Sequence, residues 1–183
     1  MRVLIIEDNH YHAEALKEKL FNHFQEIEIG VFGTEYDTYN NMGILEKSGL
    51  DIIILDMILP WCNPMSNMPE APEGYDSPYN AGIRCMSIFL NNSNFKNVPI
   101  IIYSVLDRKR LMDDLKTIPS NVFIVGKKSS FDDMALKIES IVLGNQPARK
   151  KMSTKQALLD SSEFKIGIKG FEINLKDFFR IKQ

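Results

Sequence analysis

Short, continuously apolar segments recur along this chain, and they limit its possible folds more than any other feature of the sequence. Five of them are predicted to be β-strands, at Val3 to Ile6, Ile27 to Phe32, Ile52 to Leu55, Val98 to Tyr103 and Val122 to Val125. Three of the five lack the alternation of apolar and polar residues that a half-exposed strand shows, which is typical of parallel strands buried on both faces. The sequence therefore predicts a parallel sheet with helices on both sides.

Segments with helical periodicity lie between the predicted strands. The first follows Asn9, a residue that caps helices well, and it repeats apolar residues at spacings of three and four, at Ala13, Leu16, Leu20 and Phe24. Further helices are predicted at 34–46, 81–90, 108–116 and 131–143, the last with its inward face at Met134, Ile138, Ile141 and Val142. Alternating strands and helices with right-handed crossovers predict a doubly wound α/β domain.

Composition agrees with one domain that has a buried core. The chain has 183 residues, of which 44% are hydrophobic, and no apolar run approaches the length that crosses a bilayer. The first residues reach Glu7 and Asp8 at once, unlike a cleavable signal peptide, so we expect a cytoplasmic protein. Cys62 and Cys85 fit neither a zinc site nor a disulfide framework, and we expect free thiols.

Two segments interrupt the regular alternation. Residues 61–80 contain four of the eight prolines, which predicts an irregular inserted loop after the third strand. Residues 145–183 form a basic C-terminal extension with 9 Lys or Arg against 4 Asp or Glu, and they are predicted to hold a short helix at 154–159 and a hairpin at 164–175. Because no nucleic-acid-binding motif accompanies this charge, we expect a solvated surface instead of a nucleic-acid site.

Five polar residues lie at or just beyond the carboxyl ends of predicted strands: Glu7, Asp8, Asp56, Ser104 and Lys127. In a doubly wound sheet this edge holds the ligand site, so we expect the five side chains to converge. Taken singly, a surface acidic pair, a strand-end serine or a solvated lysine is the more ordinary interpretation. Their combination in this order favours a functional site.

Each of these residue types meets one requirement of aspartyl phosphorylation. Asp56 supplies a carboxylate nucleophile, and oxygen ligands from Glu7, Asp8 and Asp56 suit Mg²⁺. Lys127 offers a positive charge for phosphoryl oxygens, and Ser104 offers a hydroxyl that can turn toward a new phosphate and shift a loop between two states. Three acids in one pocket without a metal are expected to raise at least one pKa.

In these segments the chain resembles the receiver domain of bacterial response regulators. The matching segments occur in the family's order and read VLIIEDN at 3–9, DIIILDMILP at 51–60, PIIIYS at 99–104 and VGK at 125–127. The resemblance covers about residues 1–144. It implies a flavodoxin-like five-stranded sheet in the order 2-1-3-4-5, with Asp56 as phosphoacceptor and the main-chain carbonyl of Ile58 as a further Mg²⁺ ligand.

The resemblance also implies a partner and a kind of activity. A histidine kinase or phosphotransfer protein would donate the phosphoryl group, and the domain would catalyse its own phosphorylation and slow dephosphorylation without being a conventional enzyme. The interval from Asp56 to Ser104 exceeds the family's usual spacing by roughly 18 residues, which the inserted loop explains if Gly82 marks the family's turn into its third helix. The family's aromatic switch position is occupied by Ile124, and alignment of the last helix favours Lys127 over Lys128.

Other functions stay open at this point. A receiver-like interaction module that is never phosphorylated would act through the inserted loop and the extension. A magnesium-dependent phosphohydrolase of related topology is less favoured, because Ile58 stands where that class places an acidic residue. The extension fits a dimerisation element, a docking hairpin or the beginning of an output domain, and a homodimer is left open.

Overall fold

A single parallel sheet organises the protein. The computed structural model describes residues 1–64, 68–71, 75, 77–106, 111 and 118–144, together with the backbone of 165–168 and 171–174. Five parallel strands pair in the order β2-β1-β3-β4-β5. Their bounds are β1 Arg2–Ile6, β2 Glu28–Phe32, β3 Ile52–Leu55, β4 Ile100–Ser104 and β5 Val122–Gly126. The predicted doubly wound α/β fold and its strand order are confirmed.

The described helices cover both faces of this sheet. Their bounds are α1 His10–His23, α2 Glu35–Asn40, α3 Met42–Ser48, α4 Ala81–Asn91 and α5 Phe131–Gly144, and a short 3-10 turn at Pro78–Asn80 precedes α4. As predicted, Asn9 caps α1, because its side-chain oxygen accepts a hydrogen bond from the His12 amide at 3.1 Å. The helices predicted at 108–116 and 154–159 lie, apart from Leu111, outside the described residues.

The prediction of one helix at 34–46 is wrong. The segment forms two helices that meet at Asn41, whose φ of −106° and ψ of 7° are not helical. The Asn41 side-chain amide donates to the Asp37 carbonyl at 2.8 Å, and the Asn41 amide N–H donates to the same oxygen at 3.1 Å. Asn41 thus ends α2 by satisfying its last turn, and its own carbonyl then starts α3 by accepting from Ile44 and Leu45.

The apolar core is divided into two clusters by the sheet. Alternate residues of each strand face opposite sides, so Leu4 and Ile6 join one cluster while Val3 and Ile5 join the other. Burial on both faces explains why these strands read as continuous apolar runs. In β5, Ile124 packs in the first cluster and Phe123 packs against the second.

The inserted segment is fixed to the domain through Trp61. This indole stacks edge-on or tilted against three tyrosine rings with centroid distances of 5.6 to 6.0 Å, those of Tyr36, Tyr39 and Tyr75. The indole N–H also donates to the Pro69 carbonyl at 2.9 Å. Trp61 therefore holds the two ends of the insertion against α2. The Tyr79 side chain, by contrast, is 56% exposed to solvent.

A second, two-stranded sheet occurs in the C-terminal extension. Strands β6 Lys165–Ile168 and β7 Phe171–Asn174 pair in antiparallel register, with Ile166 opposite Ile173. Across the part of the chain that the structure describes, none of the helices combines the length and apolar character needed to span a bilayer.

Candidate functional site

The carboxyl ends of the central strands bring the candidate residues to one edge. Glu7 directly follows β1 and Asp56 directly follows β3, and the Asp56 amide donates to the Ile6 carbonyl at 2.9 Å. Ser104 is the last residue of β4, and its carbonyl accepts from the Lys127 amide at 2.9 Å. The polar residues thus continue the ladder of the sheet, and strand pairing fixes their positions.

Lys127 forms the centre of this group. Its ammonium nitrogen lies 2.6 Å from Glu7 Oε2 and 2.6 Å from Asp56 Oδ2, and all three side chains are largely buried. Charge-assisted hydrogen bonds of this length are among the stronger interactions inside a protein. Lys127 is therefore the lysine that contacts the acids, while the neighbouring Lys128 is exposed.

The electrostatic balance of the group leaves it short of positive charge. Burial is the main cause that raises the pKa of Glu7, and the nearby Asp56 raises it further, although Lys127 and the Asn9 amide work in the opposite direction. Burial disfavours the charged form of Lys127, but its hydrogen bonds and charge interactions with Asp56 and Glu7 together raise its pKa. A single ammonium group neutralises only one of the two carboxylate charges, so the group attracts an additional cation.

The two oxygens of the Asp56 carboxylate have different partners. Oδ2 accepts from Lys127, whereas Oδ1 accepts from the Met57 amide at 2.6 Å and at a longer 3.5 Å from the Ile58 amide. Contacts on both oxygens hold the carboxylate in one orientation at the end of β3. A group that approaches Asp56 therefore meets a carboxylate of fixed orientation beside a fixed ammonium.

The acidic residues are grouped closely enough to hold a divalent cation. One carboxylate oxygen from each of Glu7, Asp8 and Asp56 lies within 4.8 Å of the other two. Asp8 is exposed and gives access from solvent, while Glu7 and Asp56 are buried. Hard carboxylate oxygens grouped in this way, with room for water on the exposed side, fit Mg²⁺ or Mn²⁺.

Ser104 lies at the same edge with a buried side chain. Its hydroxyl oxygen accepts a hydrogen bond of 3.4 Å from the Leu106 amide, which links it to the loop after β4.

The neighbouring Tyr103 was not among the predicted site residues, yet its ring centroid lies 5.9 Å from the Lys127 ammonium. Burial is the main cause that raises the pKa of the Tyr103 phenol. In the sequence, the only indication that Tyr103 lies near the site is its position directly before the serine at the end of a strand.

Gly82, the second residue of α4, lies directly against the backbone of the Asp56 segment. Its amide donates to the Met57 carbonyl at 3.0 Å. A Cβ atom at this position would lie 2.4 Å from Met57 Cα and 2.6 Å from the Asp56 carbonyl oxygen, which is impossible without displacing main chain. The position at the start of this helix therefore needs a residue without a side chain.

One charged pair near the site was missed in the sequence. Glu35 at the start of α2 is fully buried, and its carboxylate binds the Arg84 guanidinium in bidentate fashion at 2.7 and 2.8 Å. The two residues are 49 positions apart in the sequence, and neither belongs to a recognisable motif. Only the packing of α2 beside α4 reveals that they meet.

Solved structures with the same fold are receiver domains of two-component signalling proteins. The Francisella response regulator 1452 receiver domain is 20% identical, with a TM-score of 0.56 over 79% of this chain and 98% of that one. The receiver domain of a histidine kinase from Syntrophus aciditrophicus is 16% identical, with a TM-score of 0.57 over 84% and 98%. The Mn²⁺-bound form of response regulator Rcp1 is 16% identical, with a TM-score of 0.54 over 79% and 96%.

These likenesses concern the fold. No protein-family model matches the chain, and no curated protein matches it. The similarity nevertheless extends over nearly the whole length of each receiver domain. The chain therefore has the receiver-domain fold, as its sequence motifs predicted.

Proposed function

We propose that this protein is a phosphorylatable signalling switch in which Asp56 accepts a phosphoryl group. The observation that carries the proposal is the convergence of Glu7, Asp8, Asp56 and Lys127 at the ligand-binding edge of a receiver fold. Every functional group that aspartyl phosphorylation needs is present there. Residues 1–144 form the proposed receiver domain, and residues 145–183 form an extension outside it.

The proposed reaction is a phosphoryl transfer to Asp56. A carboxylate oxygen of Asp56 forms a bond to phosphorus as the donor's bond to the same phosphorus breaks, and the donor leaves with that electron pair. Lys127, which contacts Asp56 at 2.6 Å, moves with little displacement onto the phosphoryl oxygens. The Ser104 hydroxyl exchanges its contact with the Leu106 amide for a hydrogen bond to the new phosphate.

A divalent cation belongs to this proposal as a cofactor. Glu7, Asp8 and Asp56 would hold it, and the Ile58 main-chain carbonyl would be a further ligand. When bound, Mg²⁺ neutralises the negative charge that gathers between the carboxylates and the phosphoryl oxygens. The cation site and Lys127 share Glu7 and Asp56, so we propose that cation binding and the lysine contacts adjust to one another.

The phosphodonor we propose is a histidine kinase or a phosphotransfer protein in the cytoplasm. This assignment rests on the receiver fold and on the exposed approach to Asp8. Such a protein would carry its phosphoryl group on a histidine, and transfer to a carboxylate would then be assisted mainly by the residues of this chain. Slow return of the phosphoryl group to water would reset the switch.

Phosphorylation with a small donor tests the proposal directly. The protein is incubated with Mg²⁺ and acetyl phosphate, or with Mg²⁺ and beryllofluoride, and modification is followed by intact mass and by Trp61 fluorescence. With acetyl phosphate we expect a mass increase of one phosphoryl group in wild type and none in Asp56→Asn, because the amide is not a nucleophile, and with beryllofluoride we expect a fluorescence change in wild type alone. Chelation of Mg²⁺ should abolish the increase.

Two outcomes would contradict the switch. Equal modification of wild type and Asp56→Asn would place the chemistry on another residue. No modification of wild type, although Mg²⁺ binds, would favour the interaction module that is never phosphorylated. Asp51→Asn is a matched control, since Asp51 is an acid before β3 at the opposite end of the same strand.

A further inference from the structure

The turn that follows Asp56 is held from both sides by main-chain hydrogen bonds. On the side of α2, the Glu35 amide donates to the Pro60 carbonyl at 3.1 Å, and the Tyr36 amide donates to the Trp61 carbonyl at 2.8 Å. On the side of α4, the Leu59 amide donates to the Pro78 carbonyl at 3.2 Å. The position of the turn therefore depends on how α2 and the segment before α4 are held relative to each other.

Arg84 connects these two sides through its side chain. Its guanidinium binds both carboxylate oxygens of Glu35, and it also donates to the Ser77 carbonyl at 2.9 Å. Glu35 is the residue whose amide holds Pro60, and Ser77 directly precedes the Pro78 that holds Leu59. A single side chain thus joins the Pro60 contact on the side of α2 to the Leu59 contact before α4, while the Gly82 amide holds the turn separately at the Met57 carbonyl.

The surroundings make this connection rigid. The Arg84 side chain is only 20% exposed and its guanidinium lies 4.6 Å from the centroid of the Tyr75 ring, while Glu35 is fully buried. A bidentate arginine–carboxylate pair with a stacked ring has little freedom to rearrange. Because the long inserted segment connects the Asp56 turn to α4, a rigid side-chain link between α2 and the residues before α4 limits how far the turn can move.

From these contacts we infer that Arg84 is a positioning residue for the cation site: through Glu35 and Ser77 it holds the turn at 57–61 so that the Ile58 carbonyl and Asp56 face the same cation. This inference rests on the proposed function of the site. Arg84 does not bind the cation or the phosphoryl group. Its substitution changes the affinity for Mg²⁺ and leaves the chemistry at bound Mg²⁺ in place.

Calorimetric titration with MgCl₂ tests the inference in the full chain. We compare wild type with Arg84→Lys and Arg84→Met, and we use Arg2→Met as the control because Arg2 forms an exposed ion pair with Glu28 at the far end of β1. Loss of outer-shell support typically weakens metal binding by about 10- to 100-fold. We expect the Mg²⁺ Kd to rise by about tenfold in Arg84→Lys, because lysine keeps the positive charge but cannot form the bidentate contact with the Glu35 carboxylate. In Arg2→Met the Kd should stay at the wild-type value.

Two further measurements separate positioning from general destabilisation. At saturating Mg²⁺, the phosphorylation rate of Arg84→Lys should return to that of wild type. Amide hydrogen exchange without metal should become faster at Leu59 and Tyr36 in both Arg84 variants, while the Ile54 amide in the centre of the sheet keeps its protection. These readouts remain decisive if Arg84→Met folds poorly, because Arg84→Lys retains a cation beside the buried Glu35.

The outcomes distinguish this inference from the function on which it rests. Wild-type Mg²⁺ affinity in a folded Arg84→Lys protein, with unchanged exchange at Leu59, would overturn the positioning role and leave the phosphorylation switch intact. Failure of wild type to bind Mg²⁺ would overturn the proposed function and the inference together. A rate that stays low at saturating Mg²⁺ would show that Arg84 acts on the chemistry and would also overturn the inference.

Discussion

Several charged side chains of this protein are buried, although burial disfavours the charged form of each. Glu7, Asp56 and Lys127 share contacts of 2.6 Å in a largely buried group, where two carboxylates compete for one ammonium. The Glu35 carboxylate is also fully buried, but it is matched by a bidentate arginine. The difference indicates their tasks, because an incompletely neutralised group is suited to binding a cation and a matched pair is suited to holding structure.

Cys85 is a residue whose buried state predicts a pH dependence of stability. Burial is the main cause that raises the pKa of its thiol from 9.0 to about 12, and the nearby Glu35 charge adds to this. The folded form therefore retains the proton that the unfolded chain loses. The resulting stabilisation is complete below pH 9 and is lost as the pH rises from 9 toward 12.

Urea unfolding under reducing conditions at pH 8 and at pH 10.5 measures this contribution. Between pH 9 and 12 each unit should lower the free energy of unfolding of wild type by about 1.4 kcal/mol more than that of Cys85→Ala. Groups that titrate in this range without an interaction with Cys85 affect both proteins and cancel in the comparison, whereas Tyr39, whose pKa is raised mainly by burial and also by the charges of Glu35 and Cys85, belongs to the measured difference. Parallel stability curves for the two proteins would show that the thiol does not contribute.

At the scale of helices and strands, α4 and the residues after β3 approach each other so closely that there is no room for a side chain between them. Gly82 is the residue at that contact, and the Gly82→Ala substitution should force the main chain of Met57 or the first turn of α4 to move. We expect a loss of about 1–3 kcal/mol in the free energy of unfolding and weaker Mg²⁺ binding. Chemical denaturation and calorimetry measure the two effects.

Gly43 in α3 provides the matched control for this substitution. A Cβ at Gly43 would meet no atom within 4 Å, so alanine adds helix propensity without a clash. We expect Gly43→Ala to raise the free energy of unfolding by up to about 1 kcal/mol and to leave Mg²⁺ binding unaltered. If the two alanine variants behaved alike, the close approach at Gly82 would have no energetic importance.

The sequence predicted the elements whose signals are local and missed those that depend on packing. Three of the five strands are continuous apolar runs, so their burial on both faces could be predicted from the sequence pattern. The break at Asn41 was missed because a polar residue inside a helical pattern ends the helix only when its side chain bonds the preceding turn, as Asn41 does with Asp37. The Glu35–Arg84 pair was missed because no local pattern joins residues 49 positions apart.

The candidate site was predictable for a related reason. Parallel strands end at the same edge, so the order of the polar residues along the chain sufficed to bring Glu7, Asp8, Asp56 and Lys127 together. The sequence favoured Lys127 over Lys128 only through alignment of the last helix, whereas the strand register decides which lysine faces the acids. Tyr103 had too weak a signal to be selected.

At the scale of the whole molecule, the described strands of the main sheet and the described helices lie within residues 1–144. A protein that ends at Gly144 should therefore unfold in one cooperative transition and bind Mg²⁺ and beryllofluoride as the full chain does. Thermal unfolding and calorimetry check this expectation. An unfolded or aggregated 1–144 protein would contradict the proposed boundary between the receiver domain and the extension.

A shorter truncation provides the control for this boundary. Ending the chain at Ser130 removes α5 and with it the buried residues Met134, Ile138 and Ile141. Each buried side chain of this size contributes about 1.5–3 kcal/mol, and together they approach the entire net stability of a typical domain, about 5–15 kcal/mol. We expect this protein to be unfolded, in contrast to the one that ends at Gly144.

The hydrogen bond from the Leu59 amide to the Pro78 carbonyl holds the two ends of the inserted segment close together. The inserted segment begins and ends at neighbouring points of the domain, so its length affects the closure entropy only slowly and the candidate site hardly at all. Such a place tolerates grafts. New binding specificities, or a reporter domain introduced by an engineer, can be accommodated between Pro69 and Tyr75, where the graft leaves the contacts of Trp61, Tyr75 and Ser77 and the surroundings of Asp56 in place.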